Sequence, residues 1–279
     1  MRFGISTHIF HDLRLERDHL ARIAGYGFDT IELFATRSHF DYRSDGEVER
    51  LGEWLAETGL SLHGVHAPIT DVFGGHGPHT TYSTAAGAHA AREAAVREAE
   101  AALNIAKRIP FDVMVLHLGT PSNMHQPDDN HRGAAVRSLE EICRLAEPLD
   151  VRIAVEVIPN RLSDPASLAA MLENDLEVQT AGICLDFGHA HLMGDVADAI
   201  ETVAEHMIAT HIHDNHGRED EHLVPYFGSI DWDLALVTLQ KIGYEGTYLM
   251  ELAGAGQPEK VLEEARRARQ RFERALSHA

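Results

Sequence analysis

Short apolar runs alternate with longer amphipathic ones from one end of the chain to the other. The short runs, at 2–6, 29–34, 61–66, 112–118, 152–158, 182–186, 209–213 and 247–252, are rich in Ile, Leu, Val and Ala and have the length of buried strands. The stretches between and after them, near 14–25, 45–58, 84–109, 131–148, 164–176, 195–206, 231–243 and 257–277, carry apolar residues at helical spacing. Local signals support several boundaries. Ser163-Asp164-Pro165 puts a capping side chain and a first-turn proline where the fifth helix should begin. Gly25, Gly27, Gly59 and Gly243 follow amphipathic runs, as helix stops do. Eight strand–helix units in strict alternation, with no linker or break in composition, predict one α/β domain over 1–279, a (β/α)8 barrel. A doubly wound open sheet would need a phosphate-binding glycine cluster after the first strand, and Ile5-Ser6-Thr7-His8 supplies none. The connection 67–83, APITDVFGGHGPHTTYS, is long and is expected to act as a lid over the strand ends.

Charge narrows the partners. The chain has 24 Lys and Arg against 44 Asp and Glu, a formal net charge of −20. That balance disfavours broad binding to nucleic acid or to an anionic membrane surface. No apolar run reaches the ~20 residues of a membrane span. The opening MRFGIST reads directly as a strand rather than as a signal segment. Cys143 and Cys184 lack a paired spacing and are expected to be reduced and structural, in a cytoplasmic protein. Histidine is the outlier: there are 20, several at the ends of predicted strands.

Barrels of this class keep their reacting groups at the C-terminal ends of the strands. Those positions hold His66, His117, Glu156, Asp186 with His189 just beyond, His211 and Glu251. Alternation puts Glu156 on the face of Ala154, His117 on that of Val113 and Val115, and Glu251 on that of Leu249. These groups therefore point into the barrel, where an ionised carboxylate without a partner is costly. A divalent cation removes that cost, and mixed imidazole and carboxylate ligands suit zinc or manganese. His211 and His213 share a face. Glu32 ends the second strand and is expected to orient a pocket group, His8 to line the pocket, and His63, of opposite parity to His66, to face the helices. Nothing points to an organic cofactor.

The segments GFDTIELF (27–34), GVHAP (64–68), VLHLG (115–119), AVEVIPN (154–160), CLDFGHAH (184–191), HIHDN (211–215), GSIDW (228–232) and YLMEL (248–252), in this order, resemble the xylose isomerase-like barrel superfamily. That group includes sugar isomerases and epimerases, inositol-catabolism proteins and endonuclease IV. The resemblance implies one divalent ion (Mn2+, Zn2+ or Mg2+) held by Glu156, Asp186, His211 and Glu251. It implies Glu156 and Glu251 as the catalytic acid and base, with His189 and Arg218 holding hydroxyls of a small sugar-like substrate. The implied reaction is isomerisation or epimerisation of a sugar, polyol or hydroxy-ketone, in a chain free to assemble as a homo-oligomer. An alternative travels with the same resemblance: a zinc phosphodiesterase acting on abasic DNA. Its three-zinc pattern would add His66, His117, His189, Asp220 and His222 as ligands. DNA needs a concentrated basic face, however, and the strand-end loops hold no Lys/Arg run. One departure is Tyr226-Phe227 before Gly228, where relatives carry a glycine-rich turn.

Overall fold

The eight apolar runs become eight parallel strands that close on themselves. A computed structural model describes residues 2–72, 80–122, 129–178 and 180–277. The strands are β1 (Arg2–Ser6), β2 (Thr30–Phe34), β3 (Ser61–His66), β4 (Val113–Leu116), β5 (Arg152–Glu156), β6 (Ala181–Asp186), β7 (Met207–Ile212) and β8 (Thr247–Met250). Neighbours in the barrel follow sequence order, and β8 pairs with β1 from Arg2↔Thr247 to Ile5↔Met250. The helices are α1 (Arg17–Gly25), α2 (Asp45–Thr58), α3 (His89–Leu103), α4 (Arg132–Ala146), α5 (Pro165–Asn174), α6 (Phe187–Met193), α7 (Val196–Val203), α8 (Trp232–Lys241) and α9 (Pro258–Ser277).

Two apolar cores result. The larger lies between strands and helices, with Leu20, Ile31, Leu51, Leu139, Leu239 and Phe272 fully covered. The smaller fills the barrel itself with Val113, Val115, Ala154, Cys184 and Ala209. An eight-stranded barrel is only wide enough for its own side chains, so this plug is a floor and not a channel. Cys143 and Cys184 are both free and buried, as expected of reduced structural cysteines. Among the described residues no helix is long and apolar enough to cross a membrane.

Local chemistry explains where the elements start and where expectation failed. Asp164 caps α5 by accepting Ser167 N at 2.9 Å, with Pro165 in the first turn. The helix expected from 84 begins instead at His89. The hydroxyls of Ser83 and Thr84 are committed to the carbonyls of Asp129 (2.6 Å) and His117 (2.8 Å), which holds that stretch in an irregular path. The short helix α6 was not anticipated; Asp186 starts it by accepting His189 N at 2.6 Å. The base of the 67–83 connection is an antiparallel ladder, with Asp71 N on Thr80 O (3.1 Å) and Tyr82 N on Ile69 O (2.9 Å). The expected lid rests on residues 73–79, including His76 and His79, which lie outside the described residues.

The connection from β7 to α8 is organised by one buried carboxylate. Asp214 is fully covered. Its Oδ1 accepts Asn215 N (2.9 Å) and Ile230 N (3.2 Å), and its Oδ2 accepts Tyr226 N (2.9 Å) and the Trp232 indole N–H (2.8 Å). Tyr226 adopts φ 74°, and its ring lies 3.4 Å below the Arg271 guanidinium and against Trp232 and Phe272. Tyr226 thus packs the loop onto α9, whereas Phe227 is exposed, and neither ring lines the cavity at the strand mouth. Asp214→Ala would leave four donors without their acceptor, so unfolding free energy is expected to fall by about 3 kcal/mol in urea denaturation. A loss below about 1 kcal/mol would show that the carboxylate does not hold the loop.

Candidate active site and metal centre

Four adjacent strands deliver four side chains to one point. Glu156 and Asp186 end β5 and β6, His211 lies in β7, and Glu251 directly follows β8. Glu156, Asp186 and His211 are 0 % exposed and Glu251 is 3 % exposed. One ligating atom from each lies within 4.8 Å of the others. His211 Nδ1 is 3.4 Å from both Glu156 Oε1 and Glu251 Oε2, and 3.9 Å from Asp186 Oδ2. The opposite ring nitrogen, Nε2, donates to Glu32 Oε2 at 3.1 Å. Glu32 therefore orients the ring and aims the Nδ1 lone pair at the carboxylates.

The fit to a cation can be judged from what is left unsatisfied. Glu156 Oε1 and His211 Nδ1 are buried without a hydrogen-bond partner. Among the described residues the carboxylates of this cluster are paired only with histidines. Three dehydrated carboxylates and one imidazole need positive charge at their centre. This donor set fits Mn2+, Mg2+ or Zn2+.

Two further groups adjoin the first. His66 Nε2 and His117 Nε2 lie 3.2 and 3.0 Å from Glu156 Oε2. On the other side, His189 Nε2 and His222 Nε2 lie 3.1 and 3.2 Å from Asp220 Oδ2. A regular device presents these rings. His66, His189 and His222 each donate Nδ1–H to a backbone carbonyl, of Ala67 (2.9 Å), Val157 (3.0 Å) and Glu251 (3.0 Å), and turn Nε2 inward.

The structure adds a member that sequence reasoning left off the ligand set. His213 Nε2 is 3.0 Å from Asp186 and 3.8 Å from Asp220 Oδ1, and its ring stacks on His222 at 4.0 Å. Its shared parity with His211 was the available signal. Gly188 makes room for it, since a Cβ there would lie 1.9 Å from His213 Cε1. His8 is at the cavity wall, with Nδ1 on Leu252 O at 3.1 Å. Arg218 needs correction. It is exposed, in a bend where Gly217 takes φ 72° and donates to Asn215 Oδ1 at 2.8 Å, and it does not line the cavity.

Charge in the cluster is strongly coupled. Burial would raise the Glu156 carboxyl, but His117 and His211 beside it hold it well below the usual carboxylate range. Burial would depress His211, yet Cys184, Glu32 and Glu251 around it push it well above the ordinary imidazole value. By the same competition, between burial on one side and Glu156 or Asp220 on the other, His66 rises to about 8 and His222 to about 9. His8 goes the other way, lowered by burial and by His222. The cluster thus holds its negative charge with protons wherever no cation does. Above these groups opens a cavity of about 350 Å³, lined by His8, Phe34, His66, His117, Tyr82, Thr120, His189, Asp220 and His222 among others.

The chain belongs to the xylose isomerase-like TIM barrel family, whose model matches residues 20–272. It is 28 % identical over 263 residues to uncharacterized protein MJ1311 of Methanocaldococcus jannaschii, covering 90 % of this chain and 83 % of that one. It is 25 % identical over 248 residues to D-psicose 3-epimerase of Enterocloster bolteae, covering 84 % and 76 %. The crystal structure of a D-tagatose 3-epimerase-like protein superposes with a TM-score of 0.79 at 25 % identity, covering 100 % of this chain and 98 % of that one. Its relatives and structural neighbours thus include sugar epimerases.

Divalent-ion affinity should rise with pH and level off above about 9. An ion in the four-donor cluster puts positive charge beside His66, near 8, and His222, near 9, and favours loss of the protons they hold below those values. Binding at pH 7 should therefore release protons, measured by titration calorimetry in buffers of different ionisation enthalpy. A binding heat independent of buffer would contradict this.

Proposed function

We propose that this chain is a divalent-metal-dependent isomerase or epimerase of a sugar, polyol or related hydroxy-ketone. The observation that carries the reading is the pair Glu156 and Glu251. They come from β5 and β8, on different sides of the barrel mouth, and each stands 3.4 Å from the same imidazole nitrogen. A substrate seated over the cluster has a carboxylate on either flank.

Glu156, Asp186, His211 and Glu251 would hold the ion, which when bound supplies Lewis acidity to the substrate oxygens. The chain's own groups do the rest. One carboxylate removes the proton from the carbon beside the carbonyl, and the other returns a proton to the opposite face or the neighbouring carbon. Glu156, kept ionised by His117 and His211, is suited to start as the base. His189 and His222 present Nε2 toward the cavity, where substrate hydroxyls can be held.

Glu251→Gln is expected to lower the exchange of substrate hydrogen with solvent deuterium by roughly 10²- to 10⁴-fold. Mn2+ binding must be measured on the same variant, so that loss of proton transfer is separated from loss of the ion. Full exchange in Glu251→Gln with the ion bound would end the two-carboxylate reading.

One observation favours the phosphodiesterase alternative: His66 and His117 on Glu156, and His189, His213, Asp220 and His222 beside Asp186, could hold further ions. Charge speaks against it. Among the described residues no Lys or Arg lines the cavity. Arg37 and Arg43 in the β2 loop face Asp41 (3.8 Å) and Glu98 (2.8 Å). Cleavage of abasic duplex DNA by the zinc-loaded protein would favour the alternative, and none is expected.

A further inference from the structure

His213 is built into the site differently from the rings around it. His66, His189 and His222 commit Nδ1 to a backbone carbonyl and turn Nε2 inward. His213 has no such anchor: among the described residues its Nδ1 is buried without a hydrogen-bond partner. The Cε1–Nδ1 edge of the ring lies against Gly188, where a Cβ would come within 1.9 and 2.3 Å of those two atoms. The ring is fully covered and stacks on His222 at 4.0 Å. A phenyl ring would fill that slot with no nitrogen left unsatisfied, so packing alone does not account for an imidazole here.

What the imidazole adds is Nε2, which stands 3.0 Å from Asp186 Oδ1 and 3.0 Å from Asp186 Oδ2. Facing an ionised carboxylate, which only accepts, that nitrogen carries the proton and donates. Equal distances to the two oxygens set the N–H on the open edge of the carboxylate, between them. This is the edge through which a carboxylate grips a large cation with both oxygens at once. Asp186 is engaged elsewhere as well. Its Oδ1 accepts His189 N at 2.6 Å as the cap of α6, and its Oδ2 faces the four-donor cluster, 3.9 Å from His211 Nδ1.

We infer that His213 is a positioning residue that confines Asp186 to single-oxygen coordination, and so makes the site select small divalent ions over Ca2+. The inference rests on the metal-dependent reading above and adds what sets the identity of the ion. Ca2+ takes about six to eight oxygen ligands and commonly draws two from one carboxylate, whereas smaller ions are satisfied with fewer. With the Asp186 edge closed by an N–H, Ca2+ loses a ligand that Mn2+, Mg2+ and Zn2+ do not require. His213 itself, with its proton turned to Asp186, is a donor and not a ligand.

The test is a competition between ions on the full chain, stripped of metal and reloaded. Affinities for Mn2+ and Ca2+ are measured by titration calorimetry on the wild type, His213→Phe and His213→Gln. The wild type should prefer Mn2+ by at least about a hundredfold. His213→Phe keeps the stack and loses the donor, and should narrow that preference by about ten- to a hundredfold. The amide N–H of His213→Gln can reach the same edge and should restore most of it. The Co2+ absorption spectrum should differ between the wild type and His213→Phe, as Asp186 passes from one bound oxygen to two. A reading that needs no variant comes from 15N NMR of the Zn2+-loaded wild type, in which His213 Nε2 should keep its proton. An Nε2 deprotonated by the ion makes His213 a ligand and overturns the inference, as does a wild type that binds Ca2+ as well as Mn2+. An unchanged Mn2+/Ca2+ ratio in His213→Phe also overturns it. A His213→Gln chain no more selective than His213→Phe reduces the effect to packing and overturns the donor role. Failure of the wild type to bind any divalent ion removes the metal-dependent reading together with the inference.

Discussion

Everything at the mouth of this barrel follows from the cost of crowding carboxylates where water cannot reach them. Glu156, Asp186 and Glu251 lie within a few ångströms of one another, with Glu32 just behind His211. Negative charge so desolvated has to be balanced. The chain answers with imidazoles, whose charge can be given up, and not with arginine or lysine, whose charge cannot. That choice leaves the cluster able to exchange protons for a cation. A permanent guanidinium in the same place would have made an inert ion pair.

The backbone does much of the aiming. Three histidines are fixed through Nδ1 by carbonyls at or just beyond strand ends, so their tautomer is set by the barrel itself. His211 is the exception, fixed through Nε2 by a side chain from the distant β2. Glu32 thus ties the second strand to the seventh across the interior. Asp214 serves the neighbouring loop, closing the path that carries Asp220 and His222 back to the cavity.

Much of this was legible in the chain's alternation of residue types. The eight strands lie within a few residues of their expected positions, because a buried parallel strand is a short apolar run and little else looks like one. The parity of Glu156, His211 and Glu251 correctly placed them on the interior face. What escaped were features set by local polar geometry. Helix α6 begins because Asp186 caps it, and the motif around it reads as a loop until that contact is seen. His213 shares the face of His211, but its place beside Asp186 and Asp220 depends on Gly188 leaving room for the ring, which no strand pattern shows. Arg218 has suitable chemistry for a substrate contact, but the glycine turn before it leaves it in solvent. The role of Asp214 depends on donors as far along the chain as Trp232, which no short motif encodes.

Closure of the ring between β8 and β1 has a consequence for how the protein is made. Of the eight strands β8 is the last to be made, and Glu251 follows directly after it. Until that strand slots between the first and seventh, the growing polypeptide has neither a sealed wall nor the fourth donor of the cluster. Assembly of the four-donor cluster is thereby deferred until β8 has been made, and a product truncated before it would carry the other three donors without a vessel to hold them.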